Sequence, residues 1–188
     1  QFNEYTVWTG HPRSYANPGA VEHLPEIRRF LFDGKQKQAE DLAEKEFMSV
    51  PLKQMAYQPC GDLWFDFQGL DQVSNYRRWL DLDTATQTTE YEADGVRFRR
   101  EVIISHPDRA LFLRISADKP GKINGRVRLT SPHKDSTTTA TGNDRLVLRG
   151  QVQADGIRFE SIAKVEAASG SVSTTGDDSE ALNAAHAP

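Results

Sequence analysis

The chain has 188 residues, which suits one domain of ordinary size. Its 23 basic and 27 acidic residues leave a net charge of -4, too balanced to argue for a nucleic-acid or anionic-membrane partner. No run of about eighteen apolar residues is present to form a membrane-spanning helix. With 37% hydrophobic residues and a mean hydropathy of -0.63, the chain can build a core but is expected to keep a wide polar surface or to lack a partner domain.

The first stretch, Asn3-Glu4-Tyr5-Thr6-Val7-Trp8-Thr9-Gly10-His11-Pro12, is dense in residue types that read sugars: an amide, a carboxylate and an indole. Tyr5–Thr9 is rich in strand formers, and Gly10, Pro12, Asn17, Pro18 and Gly19 then break the chain into a loop. Trp8 reads either as a core or domain-interface aromatic or as a sugar-stacking platform. No methionine precedes this stretch, so we expect a piece of a longer polypeptide; the lack of a leader then says nothing about secretion.

Residues 20–32 carry Leu24, Ile27, Phe30 and Leu31 on one helical stripe. Pro25 is tolerated in a first turn, which predicts a start near His23 or Leu24, and Asp33-Gly34 is a stop signal. A second helix is predicted from about Gln36 to Glu46, with Ala39, Leu42, Ala43 and Phe47 inward and Lys35, Lys37, Glu40, Asp41, Glu44 and Lys45 outward. The pair reads as a helical hairpin inserted at about 20–47, ahead of a β domain.

Residues 48–60 read as a loop. Cys60, the one cysteine, has no disulfide partner and reads as a small buried residue rather than a reactive thiol. In Gly61–Phe67, Leu63, Phe65 and Phe67 alternate with Asp62, Trp64 and Asp66, the period of a strand with one apolar face. Strands follow within 73–85 and 86–91, and Asp94-Gly95 is a hairpin turn leading to 96–105. Arg100 shares parity with Val96, Phe98, Val102 and Ile104, so it faces inward or marks a bulge. An inward arginine needs a carboxylate, and Asp81 and Asp83 are the candidates for a structural ion pair.

Strands are predicted over 110–117 and 123–130, and residues 131–143 read as a polar, threonine-rich loop. Strands 145–152 and 157–168 flank a second Asp-Gly signal at Asp155-Gly156. One more weak strand follows 168, and the final residues lack a firm pattern. The sum is a helical pair, then roughly eight strands at hairpin spacing, with no βαβ alternation. That predicts a mainly β domain: an antiparallel, supersandwich-like β-sandwich with a helical hairpin near its start.

The chemistry of common active sites is missing. There is no phosphate-binding glycine loop and no Gly-x-Ser-x-Gly elbow. His11, His23, His106, His133 and His186 show no metal-ligand spacing, so neither a metal nor a cofactor is expected. The pairs Asp62/Asp66, Asp81/Asp83 and Glu90/Glu92 read as solvated strand faces, since a glycosidase draws its two carboxyl groups from distant parts of the chain.

Four ordered motifs point to a family. Asn3-Glu4-x-Thr6-Val7-Trp8-Thr9-Gly10-x-Pro12 resembles the Asn-Glu-x-Thr-Leu-Trp-Ser-Gly-x-Pro signature of glycoside hydrolase family 95. Pro59-x-Gly61-Asp62-Leu63, Tyr76–Ala85 and Arg100-Glu101-Val102-x-x-Ser105-x-Pro107-Asp108 resemble its Pro-x-Gly-Asp-Leu, Tyr-x-Arg-x-Leu-Asp-Leu and Arg-Glu-x-Phe-x-Ser segments. The mild departures are Phe2 ahead of Asn3-Glu4 and His11 within Gly10–Pro12. The resemblance covers about residues 1–170, leaving 171–188 as a last weak strand and a cut end.

The resemblance implies α-L-fucosidases, mostly acting on α-1,2-linked fucose, with some α-L-galactosidases. It implies an amino-terminal β-sandwich, a linker, an (α/α)6 barrel and a carboxy-terminal β domain, of which this chain matches the first, in part. Catalysis in the family is inverting. A glutamate acts as the acid, and an asparagine helped by an aspartate activates the water. All three lie in the barrel, so no catalytic residue is expected here and the chain alone should be inactive. The implied partners are the barrel of the same parent and, through it, a fucosylated glycan. Asn3, Glu4, Trp8 and His11 are expected near substrate or at the domain interface. An exposed apolar patch is expected where the barrel docks, and a secreted or periplasmic bacterial location is implied. The rival readings are a free-standing carbohydrate-binding sandwich and a purely structural interaction domain.

Overall fold

The computed structural model describes residues 1–67, 72–175 and 178–185, with the side chains of 175 and 178–185 left aside. His186 and the very end of the chain lie outside the described residues. Helix α1 (Ala20–Phe32) buries Ile27 and α2 (Gln36–Leu42) buries Ala39 where the two pack together, and a π-helical turn (Ala43–Phe47) closes the pair. The Asp33-Gly34 stop forms a Schellman cap. Lys35 N–H donates to Phe30 C=O at 2.8 Å and Gly34 N–H to Leu31 C=O at 3.1 Å, with Gly34 at φ 71°.

The start of α1 differs from expectation. Pro25 lies inside the helix rather than in its first turn. A turn at Asn17–Gly19 begins the helix early, with Ala20 N–H on Asn17 C=O and Glu22 N–H on Gly19 C=O, both at 3.1 Å. Proline at this depth forgoes one hydrogen bond, and the apolar stripe holds the helix together across it. Among the described residues no helix is long and apolar enough to cross a membrane.

The strands are β1 (Asp62–Phe67), β2 (Ser74–Asp81), β3 (Thr86–Ala93), β4 (Val96–Ser105), β5 (Ala110–Ala117), β6 (Asn124–Thr130), β7 (Asp135–Thr141), β8 (Arg145–Gln151), β9 (Arg158–Lys164), β10 (Ser171–Thr175) and β11 (Asp178–Ala185). Among the described residues all pairings are antiparallel, in three sheets ordered β1-β6-β11-β10, β2-β3-β4-β5 and β7-β8-β9. The first and third sheets face one another and form the sandwich. Its core is Val127 and Leu129 from β6 and Leu146 and Leu148 from β8, with Phe2, Leu63, Phe65 and Phe159 packed around them. The β2–β5 meander has its own smaller cluster of Tyr91, Ala93, Val96 and Phe98. Its β3–β4 turn is the expected one: Asp94 and Gly95 both take positive φ, 51° and 68°, between the paired residues Ala93 and Val96.

Two expectations fail, both where hydrophobicity is weak. Residues 131–143 contain strand β7, not a polar loop. Thr138 is buried and its Oγ1 donates to Leu129 C=O at 3.0 Å, so a threonine run supplies β-branched side chains whose hydroxyl is satisfied inside the sandwich. Likewise β11 forms where the sequence shows no firm pattern, and it lies between β6 and β10. Ladder hydrogen bonds on both sides stabilise that segment regardless of its hydropathy.

Candidate functional site

The amino-terminal segment is held to the sandwich by backbone pairing with residues 56–61. Phe2 N–H donates to Gly61 C=O at 2.8 Å, Gln58 N–H to Val7 C=O at 2.9 Å and Thr9 N–H to Ala56 C=O at 2.9 Å. The loop beneath is pinned in turn. Ser131 Oγ donates to Cys60 C=O at 2.8 Å, and His133 Nε2 lies 2.8 Å from Pro59 C=O with its ring edge-on to Phe159. Gly61 permits this approach, because a Cβ there would sit 2.3 Å from Thr130 O. Gly10 has φ +83°, and a Cβ on it would sit 2.0 Å from Met55 Cε.

Val7 is buried, and so are Gly10 and Cys60; Phe2, Glu4 and Thr9 are half-buried. Asn3 and His11 are exposed. Glu4 folds back on its own turn, where its carboxylate accepts from Thr6 N–H at 2.9 Å and also from Thr6 Oγ1. Trp8 is 37% exposed, between the two readings of it. Its indole N–H donates to Tyr5 C=O at 2.7 Å, and its ring meets Tyr57 edge-on at 5.2 Å. Tyr5 and Tyr57 are exposed too, and the Trp8 and Tyr57 rings form an exposed aromatic pair. Tyr5 was legible as a neighbour in the same stretch. Tyr57 carried no local signal, because it reaches Trp8 only through the bridge between 8 and 57. Burial pushes the Cys60 thiol above its usual range. The negative charge of Glu4 adds to this and the Glu4 backbone hydrogen bond opposes it, so the thiol is held protonated and inert.

Arg100 does face inward, but neither Asp81 nor Asp83 answers it. Its Nη2 donates to Tyr91 Oη at 2.7 Å, and its guanidinium lies over the Phe67 ring at 4.5 Å and the Tyr91 ring at 5.1 Å. Tyr91 stands diagonal to Arg100 on the same sheet face, within reach of a long side chain. Asp81 instead caps the β2–β3 turn, accepting from Asp83 N–H at 3.0 Å and Thr84 N–H at 3.2 Å. Asp83 is exposed in that turn. The strongest carboxylate cluster lies on the other face of this sheet. Glu90 accepts from Arg77 Nε at 3.0 Å and meets Arg99 Nη1 at 3.3 Å. The Arg77 hydrogen bond, ahead of the charges of Arg77, Arg99 and Arg97, holds the Glu90 carboxyl below the usual range.

Two shallow concavities mark the surface. One of about 430 Å³ lies on the β7–β9 sheet between Asp135, Arg149 and Arg158; the other, of about 460 Å³, lies between Asn75, Tyr76, Glu92 and Arg97. Neither includes Asn3, Glu4, Trp8 or His11. Among the described residues no group of three or more His, Cys, Asp or Glu is placed to hold a metal ion.

A family model described as "Glycosyl hydrolase family 65, N-terminal domain" matches residues 1–187. The chain is 36% identical over 152 residues to "Alpha-L-fucosidase 2" of Arabidopsis thaliana, which covers 79% of this chain and 18% of that protein. It is 28% identical over 124 residues to "Probable alpha-fucosidase A" of Aspergillus niger, covering 62% of this chain and 15% of that protein. The chain therefore spans less than a fifth of either relative. Both relatives carry the activity in their names that the four motifs led us to expect. The family model is described under number 65, whereas the motifs pointed to 95.

Proposed function

The chain belongs to the family of glycosyl hydrolase family 65 N-terminal domains, and from that premise we propose that it is the non-catalytic amino-terminal domain of an inverting α-L-fucosidase. The parent releases terminal, α-1,2-linked fucose from glycans outside the cytoplasm, in the periplasm or after secretion. The observation that carries this reading is the match, over most of this chain, to 18% of a much longer protein named for that activity.

The site chemistry is consistent with a non-catalytic role. An inverting glycosidase holds two carboxyl groups roughly 6.5–9.5 Å apart across the scissile bond, with a water between. Here Glu4 is engaged by Thr6 and lines neither concavity, while Glu90, which lines the shallow one beside Glu92, is held by Arg77 and Arg99. The acid and the water-activating residues then lie in the (α/α)6 barrel of the parent. Asn3, Glu4, Trp8 and His11 act as wall and scaffold beside the substrate.

The test is hydrolysis of a 2′-fucosyl oligosaccharide and of the matching α-L-galactoside. We expect the parent to release β-configured fucose first and the 188-residue chain to release nothing. Turnover by this chain alone, or a parent that prefers the galactoside, overturns the reading. The exposed Trp8–Tyr57 pair favours one second reading, a sugar-binding sandwich. That reading demands saturable binding of free fucose or galactose by this chain in titration calorimetry, lost in Trp8→Ala.

A further inference from the structure

The β2–β5 sheet is covered at one end and bare at the other, on both faces. At the covered end Tyr91, Ala93, Val96 and Phe98 are buried, and Phe67 of β1 lies against Arg100. Toward the other end, register places Leu80, Gln87, Val102 and Leu113 in one row and Ile104 beside Leu111 in the next, all on the same face. Leu80 is 58% exposed and Ile104 73% exposed. The opposite face carries Trp79 in a row with Glu101, Arg114 and the buried Thr88, and then the pair Ile103 and Phe112, with Phe112 53% exposed. Every residue of β2 is exposed, and Leu82 in the adjoining turn stands 83% exposed.

An antiparallel sheet that meets water on one face normally turns apolar residues to the core and polar ones to solvent. This end breaks the rule twice over, since exposed apolar side chains emerge on both faces of the same strands. A contiguous exposed apolar surface of this kind marks an interface. A partner that covers it must reach around both faces. A second copy of the chain, related by a two-fold axis, would lay one self-complementary patch on another and leave the opposite face wet. The relatives, in contrast, have more than four fifths of their length outside the matched region, enough polypeptide to clasp both sides. The Tyr76–Ala85 motif runs along this bare strand and its turn.

We propose that the Leu80–Ile104–Phe112 end of the β2–β5 sheet is where the rest of the parent polypeptide docks, covering both faces with apolar side chains. The proposal rests on the reading of this chain as one domain of a longer glycosidase.

The test uses the full-length parent carrying Ile104→Cys, or Phe112→Cys for the other face, with maleimide labelling at each position followed by peptide mapping. Both sites are expected to label at least about tenfold more slowly in the native parent than after unfolding in guanidinium, which corresponds to about 1.4 kcal/mol of protection. Labelling within about threefold of the unfolded rate overturns the proposal. Protection that disappears on dilution also overturns it, in favour of a second copy. The fucosidase reading is judged separately, by hydrolysis with the unmodified parent; labelling reports cover over this sheet whatever sugar the parent cleaves.

Discussion

Gly61→Ala tests how tightly the amino-terminal segment is seated. The added Cβ would sit 2.3 Å from Thr130 O, 3.0 Å from Leu148 Cδ2 and 3.3 Å from Phe2 Cζ. Thr130 cannot retreat freely, because it is paired with Asp62 in the β1–β6 ladder and Ser131 beyond it holds Cys60. The chain around Gly61 must therefore move outward. Overpacking of this kind costs about 1–3 kcal/mol. Loss of the bond from Phe2 N–H to Gly61 C=O, now 2.8 Å, adds about 1 kcal/mol. We expect a total of about 2–4 kcal/mol, a large share of the roughly 5–15 kcal/mol typical of a domain. Urea denaturation reads this as a lower midpoint with unchanged slope, and limited proteolysis should cut earlier within residues 1–12. The comparison is Gly34→Ala, where nothing lies within 4 Å of the new Cβ and the cost is the positive φ alone, about 1 kcal/mol. If Gly61→Ala costs no more than Gly34→Ala, the close-approach argument is wrong.

Three other outcomes are expected. Leu148→Ala, at the centre of the sandwich, should cost about 2–5 kcal/mol in the same melts, whereas Leu111→Ala on the bare end of the β2–β5 sheet should cost under about 1 kcal/mol in this chain. Glu90 has its folded pKa lowered, chiefly by the Arg77 hydrogen bond, so its contribution is present above the unfolded value near 4.3 and is lost as pH falls through the folded one. Glu90→Gln should thus lower the melting temperature at neutral pH, with the gap to wild type closing as the pH falls through the lowered carboxyl pKa. Cys60, buried and with its pKa raised by that burial, should resist Ellman's reagent at about pH 8 in the native chain and react fully once unfolded.

Much of the fold was legible wherever the signal is local. Asp94-Gly95 supplies the two positive φ values a tight hairpin needs, and Asp33-Gly34 ends α1 by the same backbone chemistry. The alternation of Leu63, Trp64, Phe65 and Asp66 states which face of β1 is inside, and the structure buries Leu63 and Phe65 against β6 and β8. A mainly antiparallel β domain behind a helical pair follows from such signals alone, as does the motif resemblance that points to a fucosidase-type domain.

Long-range pairing decided the rest. No local pattern shows that β1 pairs with β6, or that a weakly apolar tail enters the sandwich sheet as β11; ladder hydrogen bonds decide both, and they do not depend on hydropathy. The threonines of β7 look like loop until Thr138 meets Leu129 C=O, because a hydroxyl's suitability for a core depends on an acceptor outside its own segment. Arg100 was readable as inward but not in its partner, since Tyr91 becomes its neighbour only through the β3–β4 register. The opening stretch shows the same division. Its composition marked Asn3, Glu4, Trp8 and His11 as candidates. Only the tertiary structure turned Glu4 onto Thr6, set Trp8 beside Tyr57 and left Asn3 and His11 at the surface, because burial and pairing belong to contacts across the chain.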